Sequence, residues 1–264
     1  MSGRTRLKEG LGRLASTKPA PGLTVLVYHR VGGGTPDERD ISTGAFTAQL
    51  DRLAEGHRVV SLDDALDALA AGDDAPRVVI TFDDGFADVA DPALPLLVER
   101  DLPFTVYVAT AYVGGDMHWE GSTAKASGRG LDWSALQALL ASGLCTVGNH
   151  THTHARPEVL TEEELDRCTA ELQEHLGITP QHFAYTWGVA VPAMEPALRS
   201  RFRSAATGEV GRNHPGDDPL RLRRVPVRGT DPLGFFAAKL TGRLLPERTY
   251  GALVASAKRA GARG

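Results

Sequence analysis

Residues 77–85 read RVVITFDDG, an apolar run that ends in two adjacent aspartates and a glycine. A strand that is apolar on both faces is typical of a parallel sheet covered by helices. A helix-like stretch, PALPLLVER (92–100), follows, so Asp83 and Asp84 come at the carboxyl end of the strand. Because α/β folds place their functional sites at these strand ends, the stretch predicts an α/β protein with its chemistry there.

Strand-like and helix-like stretches alternate along the rest of the chain. Strand-like runs include TVLVY (24–28), PFTVYVAT (103–110), LCTVGN (144–149) and RLRRVPVR (221–228). About seven such units without a low-complexity break favour a single distorted (β/α) barrel over two domains. We therefore predict a basic tail over residues 1–22 and one barrel domain over residues 23–264.

Some local signals fix details of these elements. Ser61 is predicted to cap one helix, and Thr161 with Glu164 to form a capping box at another. Gly143 and Gly177 should end helices, because glycine accepts the left-handed conformation found there. The glycine-rich stretch 114–130 is predicted to be a long loop bordering the site.

The composition excludes several classes of protein. The chain has 264 residues, of which 42% are hydrophobic, and its formal net charge of −4 argues against nucleic-acid binding as a general function. Only two cysteines are present, which is too few for a disulfide scaffold. The sequence contains no run of about 18 apolar residues, so it predicts no membrane-spanning helix. The N-terminus lacks the apolar region of a secretory signal, so we expect a cytoplasmic location. An extracellular location is the alternative if an export segment precedes these residues.

The N-terminal segment is basic. Residues 1–20 contain a single acid, Glu9, against five basic residues: Arg4, Arg6, Lys8, Arg13 and Lys18. A solvated, partly ordered tail is the favoured interpretation. The alternative is a short amphipathic helix that makes weak peripheral contact with a membrane.

A second polar motif, NHTHTH (149–154), directly follows the strand-like run 145–148 and places three histidines within five residues. In an extended chain His150, His152 and His154 would share a face, whereas in a helical turn only His150 and His154 would. Imidazole combined with carboxylate suits zinc or a similar divalent ion. Adjacent strand residues point to opposite faces, so Asp83 and Asp84 should divide their roles between metal and water. Two histidines with one aspartate leave coordination positions open, as in a catalytic site.

With VLVYHRV (25–31) and RRVPVRGTDPLGFF (223–236), these motifs resemble the polysaccharide deacetylase family, the family 4 carbohydrate esterases with a NodB-type domain. The resemblance covers roughly residues 23–240. It implies a distorted (β/α) barrel and a bound divalent metal, Zn²⁺ first, with Co²⁺, Ni²⁺ and Mn²⁺ as alternatives. It also implies hydrolysis of an N-acetyl group on an amino sugar, with an N-acetylated sugar, oligosaccharide or related small molecule as the partner.

The resemblance also implies roles for individual residues. Asp83 corresponds to the general base, and the metal ligands would be Asp84, His150 and His154. His152 is left as an extra, outer residue. For the catalytic acid, Leu26-Val27-Tyr28-His29 resembles the motif of a circularly permuted subgroup, which makes His29 the acid. His214 in the late Asn-His-Pro-Gly stretch is a poor match to the family's usual acid motif.

The third family motif is altered. It commonly reads Arg-x-Pro-Tyr-Gly, and the corresponding run here is AYTWG (184–188). Tyr185 and Trp187 are candidates for substrate binding or, through a backbone N–H, for the oxyanion hole. The arginine that orients the catalytic aspartate is missing, and Arg224, from a run of eight arginines between 199 and 228, is the predicted replacement.

Three alternatives to a sugar deacetylase remain at the level of sequence. The altered third motif could belong to a catalytically silent carbohydrate-binding barrel. The same metal chemistry could deacylate a non-sugar biosynthetic intermediate, which fits the expected cytoplasmic location. The basic tail and the arginine run could serve a structural role. Acetate release from N-acetyl amino sugars separates the first alternative from an enzyme.

Overall fold

A computed structural model describes residues 3–13, 18–122, 128–241 and 244–261. Seven parallel strands close a barrel in the order β1, β4, β5, β6, β7, β8, β9, and β2 pairs with β3 beside it. The strands are β1 (Leu23–Tyr28), β2 (Arg30–Val31), β3 (Asp40–Ile41), β4 (Arg77–Phe82), β5 (Phe104–Val108), β6 (Cys145–Asn149), β7 (His182–Ala184), β8 (Ser204–Val210) and β9 (Leu222–Pro226). The predicted barrel is thereby confirmed.

Helices precede, separate and follow the strands along the chain. In the described part of the chain they are α1 (Gly3–Gly12), α2 (Thr43–Gly56), α3 (Leu62–Ala70), α4 (Ala93–Val98), α5 (Trp133–Ala141), α6 (Glu162–Leu176), α7 (Glu195–Arg201), α8 (Leu233–Leu240) and α9 (Leu245–Gly261). Short 3-10 turns occupy several connections, including Thr110–Tyr112 and Thr186–Gly188.

The burial pattern explains the continuous apolar strands of the sequence. Every residue of β1, β4 and β5 is buried, because one face of each strand points into the barrel and the other contacts helices. One hydrophobic cluster joins Val25 of β1 and Val79 of β4 with Leu62 and Leu66 of α3. Burying a side chain of this size contributes about 1.5–3 kcal/mol, so packing rather than local propensity holds the barrel together.

The predicted helix ends are present, including Gly143 at a left-handed φ of 72° just after α5 and Thr161 just before α6, but one predicted capping interaction is wrong. The Ser61 side chain accepts the Asp64 N–H at 3.1 Å, and Gly177 ends α6 at φ 70°. The capping box does not form, because the Thr161 side chain makes no capping hydrogen bond. Glu164 instead accepts hydrogen bonds from the backbone N–H and the hydroxyl of Thr153, at 2.8 and 2.9 Å. It therefore holds the histidine-containing loop.

The chain divides into two compact units, and the division differs from the predicted one. The barrel unit is Gly22–Gly229, and the second unit combines Met1–Pro21 with Thr230–Gly264. In the second unit Lys8 is fully buried on α1 and donates to Asp231 Oδ1 at 2.7 Å. A solvated tail would not bury a lysine in an ion pair, so the prediction of a solvated N-terminal tail is wrong for residues 3–13. Residues 1–2 and 14–17 lie outside the described ranges.

Across the residues that the structure covers, no helix has the length and apolar character needed to cross a membrane. The weak peripheral contact through residues 1–20 stays a prediction.

Candidate active site

A cavity of about 270 Å³ lies where the carboxyl ends of the barrel strands meet. Parallel closure brings these ends to one face, although the residues are far apart in sequence. The cavity is lined by Val27, His29, Arg39, Asp83, Asp84, Trp119, His150, His154, Trp187, Gly188, Gly208, Arg224 and Pro226.

Asp83 and Asp84 both reach this cavity, which corrects the expectation that they point to opposite faces. That expectation requires an extended strand, but β4 ends at Phe82. Asp84 has the left-handed φ of 75° and Gly85 follows at 88°, so the chain turns sharply after the strand. A left-handed aspartate is uncommon and is typical of functional sites. The turn brings two buried carboxylates into the same cavity.

Asp84, His150 and His154 form a cluster that suits a divalent metal. Asp84 Oδ1 lies 3.3 Å from Nε2 of each histidine, and one ligand atom from each of the three residues lies within 4.8 Å of the others. Two imidazole nitrogens and one carboxylate oxygen are the donors of a catalytic zinc site with open positions. All three side chains are buried, and this donor chemistry fits the metal that the resemblance implies.

The backbone after β6 explains why these two histidines converge. Thr151 and His154 have left-handed φ values of 66° and 54°, so the loop is neither extended nor helical. His150 Nδ1 lies 2.8 Å from the Ala184 carbonyl oxygen, which orients its Nε2 toward Asp84. Burial alone would raise the pKa of Asp84, but the hydrogen bonds from His150 and His154 hold it well below its ordinary value.

His152 is turned away from the cluster. Its Nδ1 lies 3.0 Å from Thr110 Oγ1 and 3.5 Å from Glu171 Oε1. The three histidines of the motif therefore divide into two that reach the cavity and one that contacts neighbouring elements. This arrangement agrees with the outer position expected for His152.

Asp83 forms a buried ion pair with Arg224 of β9. Arg224 Nη1 and Nη2 donate to the two carboxylate oxygens at 2.6 and 2.7 Å, and its Nε donates to the Thr207 carbonyl at 2.8 Å. Burial would raise the pKa of Asp83, but the charges of Arg224 and His150 outweigh it and lower the pKa below its ordinary value. Arg224 thus occupies the position predicted for the replacement of the missing arginine.

His29 follows β1 and lines the same cavity. Burial lowers the pKa of its ring, against the opposing charges of Asp84 and Asp83. His214, the weaker candidate for the acid, does not line this cavity. Its Nδ1 lies 2.8 Å from Asp74 Oδ1, and it follows Asn213, which bridges to Leu23 at the start of β1. His214 therefore belongs to the opposite, amino-terminal end of the strands.

The two aromatic residues of the third motif have different positions. Tyr185 is 1% exposed and packs in a core cluster with Phe183, Leu198 and Phe202, so it is not a substrate-binding residue. It points to the core because it continues the buried face of β7. Trp187 lines the cavity and has a left-handed φ of 60°. The residue is 39% exposed, and its ring centroid is 5.6 Å from that of His154.

Among the charged and aromatic side chains that line the cavity, sequence reasoning missed two, Trp119 and Arg39. Trp119 stacks on His154 with ring centroids 4.1 Å apart, and it belongs to the predicted loop 114–130, whose described parts do border the site. Residues 123–127 of that loop lie outside the described ranges. A tryptophan within a glycine-rich loop was a usable signal. No sequence signal marked Arg39, because the connection between β2 and β3 in which it lies carries no periodic pattern.

Comparisons with known proteins agree with this geometry. The sequence model of the family described as polysaccharide deacetylase matches residues 70–200. The structure of IcaB from Ammonifex degensii is 34% identical with a TM-score of 0.73, and the alignment covers 85% of this chain and 99% of that one. A comparison with curated protein sequences gives no significant match.

More distant structures share the fold. BC0361, a polysaccharide deacetylase from Bacillus cereus, has a TM-score of 0.69 at 23% identity, over 84% of this chain and 70% of that one. The deacetylase PplD from Streptococcus pyogenes has a TM-score of 0.69 at 21% identity, over 85% of this chain and 100% of that one. Its motifs, its barrel and its 34% identity to IcaB show that the chain belongs to the polysaccharide deacetylase family and is an N-deacetylase.

Proposed function

We propose that this enzyme removes N-acetyl groups from amino-sugar units of a polysaccharide, using a divalent metal held by Asp84, His150 and His154. The observation that carries the proposal is the buried Asp83–Arg224 pair, which lines the same cavity as the three ligands. A bound metal would polarise the acetyl carbonyl and lower the pKa of water. Zn²⁺ is the proposed ion because it favours this donor set, and Co²⁺, Ni²⁺ or Mn²⁺ can use the same donors.

Asp83 is the proposed general base. It accepts a proton from the attacking water, which requires that its carboxylate is ionised when substrate binds. The bidentate contact with Arg224 favours the ionised form and fixes the direction of both oxygens. Because Asp83 is outside the ligand cluster, its proton transfer does not require it to leave a metal.

His29 is the proposed general acid. His29 follows β1, whereas His150 and His154 follow β6, and β4 and β5 lie between these two strands in the closed barrel. This strand order supports a position for His29 across the cavity from the two histidines. During hydrolysis the water oxygen bonds to the acetyl carbon, the carbon–nitrogen bond breaks, and the His29 proton passes to the departing nitrogen. The products are acetate and a free amine. The Trp187 backbone N–H is the proposed donor to the oxyanion.

The intact arginine–aspartate pair argues against a silent carbohydrate-binding barrel. The third motif has lost its arginine, but a guanidinium from β9 contacts the base instead. Family membership favours a polysaccharide over a small non-sugar intermediate as the substrate. The cytoplasmic location expected from the sequence stays a prediction.

The test is acetate release by the zinc-loaded protein from N-acetylglucosamine oligomers, compared with a panel of N-acylated compounds without sugar rings. Asp83→Asn should keep the metal and lose activity by about 10²–10⁴-fold, the contribution typical of a general base. Asp84→Asn should lower the metal content itself. The control is Glu158→Gln, which changes a carboxylate that is 72% exposed and paired with Arg156.

No acetate release from any sugar substrate with any of the four metals would refute the proposed activity. Equal loss of metal in Asp83→Asn and Asp84→Asn would refute the division of roles between the two aspartates.

A further inference from the structure

Arg39 lines the active-site cavity beside the proposed acid and has no part in the proposed mechanism. It lies in the short connection between β2 and β3, and its carbonyl accepts the N–H of Arg30 at 3.3 Å. Arg30 directly follows His29. Glu38, next to Arg39, accepts the Gly229 N–H at 2.7 Å. Backbone bonds therefore tie the connection to the end of β1 and to the segment after β9.

Asp37 orients the Arg39 guanidinium before any substrate binds. One carboxylate oxygen accepts the Arg39 backbone N–H at 2.9 Å and its Nε at 3.0 Å, and the other accepts Nη2 at 2.8 Å. These hydrogen bonds raise the pKa of Arg39, against the effect of burial, so the side chain stays cationic. Two of the five guanidinium N–H groups are used in this way, and three are not bound to Asp37. A guanidinium group that is already held in place loses little further conformational entropy when it binds a ligand.

The order of the barrel strands assigns Arg39 to one side of the scissile bond. Two strands lie between β1 and β6, and two between β1 and β7, so β1 is opposite both. His150 and His154 follow β6, and Trp187 follows β7. An amide bound with its carbonyl toward the ligand cluster and its nitrogen toward His29 directs the rest of the sugar toward the β1 side. Arg39 is the cationic side chain that the β2–β3 connection brings there.

We infer that Arg39 is a specificity-determining residue, which donates hydrogen bonds to oxygen atoms of the amino sugar on the leaving side of the amide. The inference rests on the proposed function. Hydroxyl and ring oxygens accept hydrogen bonds, and an arginine can only donate them, so the two chemistries match. The interaction is with the sugar and not with the acetyl group.

The experiment compares two substrates. One is an N-acetylglucosamine oligomer, and the other is para-nitrophenyl acetate, whose leaving group has no sugar oxygens. Arg39→Ala should lower kcat/KM for the oligomer by about 10–100-fold, chiefly through KM, because a hydrogen bond from a charged donor is lost. It should change hydrolysis of the aryl acetate by less than about two-fold and leave metal content unaltered. Asp37→Asn, which loosens the guanidinium, should show the same pattern more weakly.

The matched control is Arg199→Ala, which removes another arginine paired with an aspartate, at 2.8 Å, on α7 and outside the cavity. It should leave both substrates unaffected. Equal losses on the two substrates with Arg39→Ala would refute the inference, since the residue would then act on His29 or the metal. Unchanged kinetics on the oligomer would refute it as well. Failure of the wild-type enzyme to release acetate from the oligomer would instead refute the proposed function.

Discussion

Replacing Arg224 with methionine should destabilise the protein strongly, because it leaves the Asp83 carboxylate buried without its partner. The side chains of Arg224 and Asp83 are 3% and 6% exposed, and two hydrogen bonds of 2.6 and 2.7 Å join them. Removing one member of a buried ion pair costs about 3–5 kcal/mol. Total stabilities are about 5–15 kcal/mol, so this is a large share. At roughly 2–4 °C per kcal/mol for a chain of this size, Tm should fall by at least about 6 °C.

Arg223 provides a control on the same strand. Its side chain is 36% exposed and contacts Glu209 and Asp217 at 3.4 and 3.1 Å. Because exposed ion pairs contribute about 0–1 kcal/mol, Arg223→Met should lower the free energy of unfolding by no more than that. The assay is urea unfolding of both variants, together with the double variant Asp83→Asn/Arg224→Met. The double variant should lose at least about 2 kcal/mol less than the sum of the single changes, since no uncompensated charge remains.

Arg224→Met should also shift the pH dependence of activity. Without Arg224, burial is opposed by fewer charges and the pKa of Asp83 rises. The base works when ionised, so the acidic limb of the pH profile of kcat/KM should move to higher pH. The reasoning fails if Arg224→Met costs no more stability than Arg223→Met, or if the acidic limb does not move.

Three further predictions concern the acid, the second unit and the metal. His29→Ala should lower kcat by about 10²–10⁴-fold with metal content unchanged; near-normal turnover would exclude it as the acid. Burial alone would raise the pKa of Asp231, but the charges of Lys239 and Lys8 outweigh burial and lower that pKa. The ionised Asp231 therefore stabilises the fold above its unfolded pKa of about 3.9, and this contribution is lost as the pH falls through the lower folded-state pKa. Acid unfolding should show this loss, and Asp231→Asn should remove that part of the pH dependence. Zinc at 100 times its Kd should raise the free energy of unfolding by about 2.7 kcal/mol, but not in Asp84→Asn.

Much of the site was accessible to sequence reasoning because its residues follow apolar strands. Asp83, Asp84 and His150 each come just after a strand of the closed barrel, so parallel closure alone predicts that they meet. His29 follows the same rule. The direction of each side chain was less accessible. The left-handed backbone at Asp84 brings two carboxylates to one cavity, and no alternation pattern contains that turn.

Other predictions were wrong because local signals compete with tertiary contacts. Glu164 is in the right position for a capping box but bonds Thr153 of the histidine loop instead. Tyr185 follows a strand and carries a polar atom, but its ring fills the core between β7 and its helices. The basic N-terminal segment suggested a solvated tail, and yet Lys8 is buried against Asp231, a partner 223 residues away.

The closed parallel barrel, the family and the types of residue at the site are readable from the sequence, because periodicity and short motifs record them along the chain. The partners of these residues depend on tertiary contacts that no motif records. Arg224 contacts Asp83 across 141 residues, and Arg39 reaches the cavity from a connection without any motif. The physical reason is that ion pairing, burial and the direction of a side chain depend on distances of a few ångströms in space. Closure of the barrel creates those distances, and sequence separation does not record them.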